Sequence, residues 1–309
     1  MTRRPVPLRT PTFGGAVPHP RGEDSFVDQT KRSTARRRTL TGLTGAVLVA
    51  LAAATVTTAQ ATPEPASPAA HSAAARAGSA ADDAYYKDAE GKTGDELKSA
   101  LHEIISSNTT QLSYDEVWDA LKVTDQDPDN SSNVILLYSG RSQSKDSNGG
   151  DADDWNREHV WAKSHGDFGT STGPGTDVHH LRPTDVSVNS TRGNKDFDEG
   201  GTEVDEAPGN FTDDDSYEPR DAVKGDVARM ILYMAVRYDG DDGFADLEPN
   251  DEVDNGSKPN IGRLSVLKEW STQDPPDDFE KNRNQVIFDQ FQHNRNPFID
   301  HPEWVGEIW

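Results

Sequence analysis

Two adjacent side chains and a third further along the chain could together support metal-assisted hydrolysis. Glu158 and His159 are neighbours, and Asn189 follows about thirty residues later. Mg²⁺ prefers oxygen ligands and keeps several waters, so one carboxylate and one carboxamide oxygen are enough protein to hold it. A histidine has a pKa near neutrality, which suits a general base that takes a proton from water. The set predicts phosphodiester hydrolysis at one cation, with Glu158 and Asn189 as ligands and His159 as the base.

The elements that must position these residues are two short strands and a helix. Residues 157–162 and 178–181 suit strands, and the segment 166–176, which contains Gly, Ser, Thr and Pro, separates them. Because side chains alternate along a strand, a bend or strand end would let Glu158 and His159 reach one phosphate from different sides.

A helix is predicted directly after the second strand. Pro183 suits its first turn, and Gly193 would end it. Asn189 then lies inside this helix, where asparagine is a poor helix former. That small penalty favours a functional reason for the residue, although a capping or solvated asparagine is the ordinary alternative.

Two arginines of the segment are candidates for binding the phosphate. Arg182 and Arg192 could each chelate it through two donors. The alternative is that they form ion pairs with Asp185 or Asp196, which lie close by in the sequence.

Two adjacent histidines are candidates for supporting the site. His179 and His180 are predicted on the second strand, where alternation lets at most one face the site. Such a ring could brace the metal ligands or the base, or both could be packed structural histidines. A zinc site made of His159, His179 and His180 is a further alternative.

Three sequence runs carry a resemblance to a known family. They are Asn156-Arg-Glu-His-Val-Trp161, Asp177-Val-His-His-Leu-Arg-Pro183 and Val188-Asn-Ser-Thr-Arg-Gly-Asn194. The chain resembles the bacterial endonuclease I family of secreted or periplasmic ββα-metal nucleases, and especially the extracellular nucleases and ribonucleases of Gram-positive bacteria. Further matching runs at 137–141, 225–230 and 294–303 extend the resemblance over nearly all of residues 82–309.

The resemblance implies the same roles by position: Glu158 and Asn189 bind the metal, and His159 is the general base. It also implies cleavage of DNA and often RNA, with little sequence preference, to 5′-phosphate and 3′-hydroxyl ends. The implied cofactor is one Mg²⁺, with Mn²⁺ or Ca²⁺ as substitutes, and the implied partners are DNA and RNA as substrates. Protein partners stay open. Two alternatives remain: an RNA-preferring extracellular ribonuclease, and an inactive, Ca²⁺-dependent secreted binding protein on the same fold.

The chain departs from the periplasmic branch of that family in two respects. That branch has disulfides, and this chain has no cysteine. It also has a longer insertion whose arginine grips the cleaved phosphate, whereas the corresponding segment here is the short loop 166–176. No residue of this sequence matches that arginine by position.

The charge of the chain limits how it can bind nucleic acid. The net charge of the 309 residues is -23, and residues 62–309 alone carry -29. Tight non-specific binding rests on neutralising phosphates, so this balance argues against it. A local site of opposite sign can still act on nucleic acid, and the acidic surface itself favours solubility.

The N-terminal part has the pattern of an export signal. In residues 1–61 a basic cluster precedes the uncharged segment 39–58, and Ala59-Gln60-Ala61 has the small-x-small pattern of a cleavage site. A membrane anchor is the alternative, but the apolar run is short for a span. Residues 62–81 are predicted to be a disordered linker. We therefore expect a secreted, extracellular protein cleaved near Ala61, without a stable membrane partner and by an export route left open.

The remaining residues, 82–309, are predicted to form one α+β domain. It should be mostly helical, around a small antiparallel sheet that carries the ββα-metal site in residues 155–197. Residues 199–220 read as a long acidic loop, and 297–309 as an irregular tail. Helices are predicted at 95–106, 114–121, 226–238, 261–270 and 279–293. Ser113 and Glu116 are predicted to form a capping box at the start of the second of these helices.

Two acidic runs, 125–129 and 239–243, raise the question of structural calcium. Ca²⁺ takes many oxygen ligands, but neither run has the spacing of an EF-hand loop. Solvated loops are the ordinary alternative, and structural Ca²⁺ outside the cell stays open.

Overall fold

The computed structural model describes residues 84–309. The predicted signal region, 1–61, and the predicted linker, 62–81, both lie outside the described residues. The α-helices are α1 (Gly94–Ser106), α2 (Glu116–Thr124), α3 (Val186–Arg192), α4 (Lys224–Arg237), α5 (Leu264–Gln273), α6 (Asp278–Val286), α7 (Pro297–Asp300) and α8 (Trp304–Ile308). The strands are β1 (Gln126–Asp127), β2 (Asn130–Ile135), β3 (Ser142–Ser144), β4 (Trp155–His159), β5 (Leu181–Asp185), β6 (Asp196–Phe197), β7 (Thr202–Glu203), β8 (Phe211–Thr212), β9 (Ser216–Glu218), β10 (Glu248–Pro249) and β11 (Asn260–Ile261).

The strands form four small sheets among these helices. Strands β1, β2 and β3 make one antiparallel sheet, and β4 and β5 make an antiparallel pair. A third sheet has the order β6-β9-β8-β7 and is mixed, and β10 pairs with β11 in parallel. This confirms the predicted α+β class with mostly helical content. The prediction of a long loop at 199–220 was wrong, because strands β7, β8 and β9 lie there.

Helix α4 is the centre of the main hydrophobic core. Its apolar face was predicted at 226–238, but every residue of the helix is buried. The polar positions can be buried because they have partners. Arg229, for example, donates from Nε and from a terminal nitrogen to both carboxylate oxygens of Glu280, at 2.7 and 2.6 Å. A charged residue inside a core is tolerated when it is paired in this way.

Helix α2 begins with the predicted capping box. The Ser113 backbone N–H donates to the Glu116 carboxylate at 2.7 Å, and the Glu116 N–H donates to the Ser113 hydroxyl at 3.3 Å. These reciprocal bonds satisfy two donors that the helix itself leaves free. The helix starts two residues later than predicted.

The C-terminal part differs from the prediction in two places. Helix α6 ends at Val286 and continues as a π-helical turn, Ile287–Phe291, rather than as one helix to 293. The tail 297–309 contains α7 and α8 instead of irregular chain. Asn296 caps α7 by accepting a hydrogen bond from the Phe298 N–H, and Pro297 occupies its first turn.

The two strands and the helix predicted for the site exist, but with shifted bounds. Strand β5 begins three residues later than predicted and contains Pro183, which pairs with Arg157 of β4. Pro183 therefore does not start the helix. Asp185 does so, because its carboxylate accepts hydrogen bonds from the N–H groups of Ser187 and Val188. Gly193 ends α3 with φ +62°, as predicted.

No helix within residues 84–309 has an apolar stretch long enough to cross a membrane.

Candidate active site

The strand pair and the helix that follows it bring Asn189 back to the strand of Glu158. In the antiparallel ladder Asn156 lies opposite Thr184, and Glu158 lies opposite Arg182. Helix α3 follows β5 without a loop and returns towards β4. There the Asn189 Nδ2 donates to the Asn156 Oδ1 at 2.7 Å.

These residues line one cavity of about 510 Å³. Glu158, His159 and Asn189 all lie in its wall, so the structure brings together the three residues proposed for catalysis. The other residues of the wall are Tyr114, Trp118, Gly149, Asn156, Arg157, Ala162, Lys163, Ser164, Ser190, Arg192, Gly193 and Asn194.

Glu158 is a buried carboxylate held by two donors. Only 2% of the residue is exposed. The Tyr138 hydroxyl donates to Oε1 at 2.7 Å, and a terminal nitrogen of Arg192 lies 3.3 Å from the same oxygen. Burial raises the pKa of Glu158, and the Arg192 charge followed by the Tyr138 hydrogen bond oppose that rise. Both contacts engage one oxygen and stabilise the ionised form.

A hydrogen bond to the backbone fixes which ring nitrogen of His159 carries the proton. Its Nε2 lies 3.1 Å from the Gly175 carbonyl oxygen, and a carbonyl can only accept. In the neutral ring the proton is therefore on Nε2, and Nδ1 carries the free lone pair of a base. Burial, reinforced by His180, lowers the pKa of His159 well below its usual value, which favours this neutral form.

His180 supports the same loop as His159 and does not face the cavity. Its Nε2 donates to the Pro174 carbonyl at 2.7 Å, and its Nδ1 accepts from the Trp161 N–H at 3.3 Å. The two imidazoles thus hold consecutive carbonyl groups, those of Pro174 and Gly175, and their ring centroids are 5.6 Å apart. Burial lowers the pKa of His180 to about 4.

His179 points away from the cavity into the core. Its Nε2 lies 3.2 Å from the backbone and side-chain oxygens of Asn294, and its ring packs on Tyr233 at 4.4 Å. Both His179 and His180 precede β5 in a turn, so the predicted strand alternation does not apply to them. The zinc alternative was wrong, because the rings of His159, His179 and His180 do not converge on one point.

The two candidate arginines have different positions. Arg182 is buried away from the cavity, with Nε 2.5 Å from Asp125 and a terminal nitrogen 3.2 Å from Asp226. Those carboxylates occupy its donors, and the structure does not bring it to the site. The predicted alternative partners, Asp185 and Asp196, are not the ones it uses.

Arg192 does line the cavity, and it fixes the end of strand β4. Besides Glu158, it donates to the His159 carbonyl at 3.0 Å and to the Val160 carbonyl at 2.7 Å. It does not pair with Asp185 or Asp196. Only 1% of Arg192 is exposed, and the contacts of its guanidinium are with Glu158 and these backbone carbonyls rather than with the open cavity.

Several residues that hold the side chains of the candidate site were not predicted from the sequence. Tyr138 holds Glu158, Asn156 holds Asn189, and the carbonyl of Gly175 holds His159. Asn156 could have been identified from the sequence, because it lies two residues before Glu158, where an extended chain places it on the same face, and it adds a second carboxamide. Tyr138 had no such signal, because neither its residue type nor its place twenty residues before Glu158 points to the proposed chemistry.

The oxygen atoms of the cavity suit a hard divalent cation. Asn189 uses its Nδ2 for Asn156, and within residues 84–309 its Oδ1 accepts no hydrogen bond. Glu158 uses Oε1 for Tyr138 and Arg192. One carboxylate oxygen and one amide oxygen are thereby left for an ion that keeps most of its waters, as Mg²⁺ does.

A separate group of possible metal ligands lies outside this cavity. His102, Asp239 and Asp241 offer ligand atoms within 4.8 Å of one another, and no other group of this kind occurs among the described residues. The acidic run 239–243 supplies two of these atoms. The run 125–129 contributes no residue to this group, and its Asp125 is paired with Arg182 and Arg283.

A strand pair and the helix that follows it thus place a carboxylate, carboxamides and an imidazole in the wall of one cavity. The family model described as Endonuclease I matches residues 93–303, and the chain belongs to that family. It is therefore a nuclease.

The chain is similar to two named extracellular ribonucleases. An extracellular ribonuclease of Bacillus subtilis (strain 168) is 69% identical over 227 residues, which cover 74% of this chain and 78% of the relative. An extracellular ribonuclease of Bacillus amyloliquefaciens is 65% identical over 231 residues, covering 75% and 80%. These similarities favour an enzyme over the inactive binding protein considered above.

Proposed function

We propose that this protein is a secreted, Mg²⁺-dependent endonuclease that hydrolyses RNA and DNA with little sequence preference. The products would carry 5′-phosphate and 3′-hydroxyl ends. The observation that carries the proposal is the convergence of Glu158, His159 and Asn189 on one cavity. The names of the two Bacillus relatives support RNA as a substrate and the extracellular medium as the place of action.

The reaction begins at the imidazole. His159 Nδ1 accepts a proton from water, and the water oxygen attacks phosphorus as the bond from phosphorus to the 3′ oxygen breaks. Gly175 keeps the opposite nitrogen protonated and the ring in orientation. The 3′ oxygen leaves and takes up a proton from solvent water, and His159 returns its proton to solvent, so the phosphate stays on the 5′ end.

The cation and its protein ligands serve charge stabilisation. We assign Glu158 Oε2 and Asn189 Oδ1 as the ligands, because the remaining atoms of these side chains are engaged by Tyr138, Arg192 and Asn156. When bound, the cation supplies positive charge to the pentacovalent transition state and to the departing oxygen. The Arg192 charge favours the ionised form of this carboxylate and holds it in place.

Nothing in this reaction uses the 2′-hydroxyl of ribose. The nucleophile is water, so the same residues should cleave DNA and RNA. A ribonuclease that works without metal would instead use the 2′ oxygen and leave the phosphate on the 3′ side. End chemistry therefore separates the two mechanisms.

The test uses the full chain secreted from a Gram-positive host and three oligonucleotides of one sequence: RNA, DNA and fully 2′-O-methylated RNA. We expect Mg²⁺-dependent cleavage of all three to 5′-phosphate ends, and none after chelation. His159→Asn should lose several orders of magnitude in rate. His293→Asn is the matched control, because His293 is exposed and its positive φ of 62° is one that asparagine tolerates.

Two results would overturn the proposal. Resistance of the 2′-O-methylated strand together with 3′-phosphate products would show that the 2′ oxygen is the nucleophile. Unchanged cleavage by His159→Asn would remove the assigned base. The N-terminal residue of the protein recovered from the medium tests the expected cleavage near Ala61.

A further inference from the structure

The active-site cavity has the opposite charge balance to the rest of the chain. Its wall contains three cationic residues, Arg157, Lys163 and Arg192, and one carboxylate, Glu158. Residues 62–309 as a whole carry a net charge of -29. A polyanion approaching this protein therefore meets its favourable potential at the cavity, where low-dielectric walls strengthen the interaction.

Arg157, one of these three cationic residues, has no ion-pair partner among the described residues. Residues 84–309 contain ten arginines, and only Arg157 and Arg220 have no carboxylate oxygen within 4.0 Å. Arg220 does not line the cavity. In a chain with such an excess of carboxylates, an unpaired arginine in the cavity wall is available to an anion from outside.

Two aromatic side chains hold the Arg157 guanidinium. Its Cζ lies 3.4 Å from the centroid of the Tyr114 ring and 4.0 Å from that of Trp118. One terminal nitrogen also donates to the Tyr114 carbonyl, while Nε has no hydrogen-bond partner among the described residues. Rings against a guanidinium fix its plane, and its N–H donors point outward within that plane. The group is thereby oriented before any ligand arrives.

Arg157 also stands next to the general base. It precedes His159 by two residues in strand β4, so the two side chains emerge on the same face. The Tyr114 ring is shared between them, because it stacks on the His159 ring at 6.0 Å with an interplanar angle of 29°. A phosphate bound by Arg157 would thus lie beside the position where water is activated.

We propose that Arg157, held by Tyr114 and Trp118, forms a phosphate-binding subsite for a phosphodiester of the substrate strand at the cleavage site. This inference rests on the proposed nuclease function and names the substrate-binding part of the same site. The subsite supplies the positively charged side chain for phosphate binding that neither Arg182 nor Arg192 supplies, because carboxylates and backbone carbonyls occupy the donors of those two arginines. Its ligand is the phosphate group common to RNA and DNA.

The experiment compares Arg157→Gln with Lys281→Gln on single-stranded RNA and DNA oligonucleotides over a range of KCl concentrations. Lys281 is exposed on α6, outside the cavity wall, and its loss changes the net charge equally. We expect KM to rise about tenfold in Arg157→Gln, the order of magnitude for one lost charged hydrogen-bonding contact. The slope of log(kcat/KM) against log[KCl] should become shallower by about 0.7, the value for one phosphate contact on a single strand.

Arg157→Lys and Trp118→Leu complete the test. The lysine keeps the positive charge, so the slope of log(kcat/KM) against log[KCl] should stay near that of the wild type. KM should still rise, because an ammonium group lacks the paired, planar N–H donors of a guanidinium. Trp118→Leu should raise KM less than Arg157→Gln, and it should add little in combination with that variant. The Mg²⁺ concentration for half-maximal activity should not change in any of them.

The outcomes separate this inference from the proposed function. If the wild type cleaves and needs Mg²⁺, but Arg157→Gln keeps the KM and salt slope of Lys281→Gln, the subsite is wrong and the nuclease mechanism stands. If the wild type cleaves neither polymer, the proposed function fails first. Should Arg157→Gln not fold, Arg157→Lys decides: a KM equal to that of the wild type would overturn the subsite.

Discussion

Replacing Tyr138 by phenylalanine should weaken cation binding without touching any proposed ligand. The Tyr138 hydroxyl is completely buried and donates to Glu158 Oε1 at 2.7 Å. The substitution removes one oxygen atom and leaves the ring in place. Glu158 would keep only Arg192 as a charged partner, at 3.3 Å.

The size of the effect follows from the value of one buried hydrogen bond to a charge. Such bonds contribute about 1.5–3 kcal/mol, and a factor of ten corresponds to about 1.4 kcal/mol. Burial already raises the pKa of Glu158, and the Tyr138 bond is one of the contacts that opposes it. Without that bond the pKa should rise further, so that protons compete better with Mg²⁺ for the carboxylate. At pH values below the pKa of Glu158, we expect Mg²⁺ affinity to fall about 10- to 100-fold.

The assay is cleavage of single-stranded RNA as a function of Mg²⁺ concentration at several pH values. In Tyr138→Phe the Mg²⁺ concentration for half-maximal rate should increase most at low pH and recover as pH rises, because the carboxylate must be ionised to bind. Tyr217→Phe is the matched control. Its ring packs on Tyr138 at 4.9 Å, and its buried hydroxyl has no hydrogen-bond partner among the described residues.

The opposite pattern would refute this reasoning. If Tyr138→Phe lowered kcat at saturating Mg²⁺ while leaving the Mg²⁺ midpoint equal to that of Tyr217→Phe, the hydroxyl would not act through the affinity of Glu158 for the cation.

Three further perturbations test other parts of the molecule. Gly175→Ala would place a methyl group 2.7 and 2.8 Å from two backbone oxygens, so the carbonyl that holds His159 should shift and kcat should fall about tenfold at an unchanged Mg²⁺ midpoint, measured in the same cleavage assay. Glu280→Leu leaves the buried Arg229 guanidinium without its carboxylate and should cost about 3–5 kcal/mol in urea unfolding, a loss that Glu280→Leu combined with Arg229→Met should partly recover. Chelation should abolish cleavage but leave the far-UV circular dichroism spectrum unchanged, because Glu158 keeps its protein partners without a cation.

The parts of the site that the sequence predicted are those whose signal is local. Glu158, His159 and Asn189 could be found because their residue types and spacing match one chemistry. The Ser113–Glu116 capping box and the end of α3 at Gly193 could be found for the same reason, since each depends on residues within one turn. In the capping box and at the end of α3 the interacting groups are near neighbours in the chain, whereas Asn189 was singled out by its residue type although it lies about thirty residues from Glu158.

The parts that were missed depend on partners far along the chain. Pro183 looks like a helix start, but its carbonyl accepts a hydrogen bond from the Leu137 N–H at 2.9 Å, and its place is in a strand. Arg182 looks like a free cation beside the site until Asp125, 57 residues away, is seen to take its charge. Tertiary pairing thus overrode two local preferences, and no window of the sequence contains both partners.

Burial acts on Glu158 and His159 in a way that a cation would complete. It raises the pKa of Glu158 and lowers that of His159, so it favours the neutral form of each. The proposed hydrolysis needs an ionised carboxylate beside a neutral imidazole. Burial favours the neutral imidazole, but it also favours the protonated carboxyl group, which could not bind a cation. Arg192 and Tyr138 correct this in part. A divalent ion bound to Glu158 would favour the required protonation state of both residues, because its positive charge stabilises the ionised carboxylate and destabilises a protonated imidazole. In the proposed mechanism one positive charge would therefore favour the required protonation state of both neighbours, the proposed ligand Glu158 and the proposed base His159.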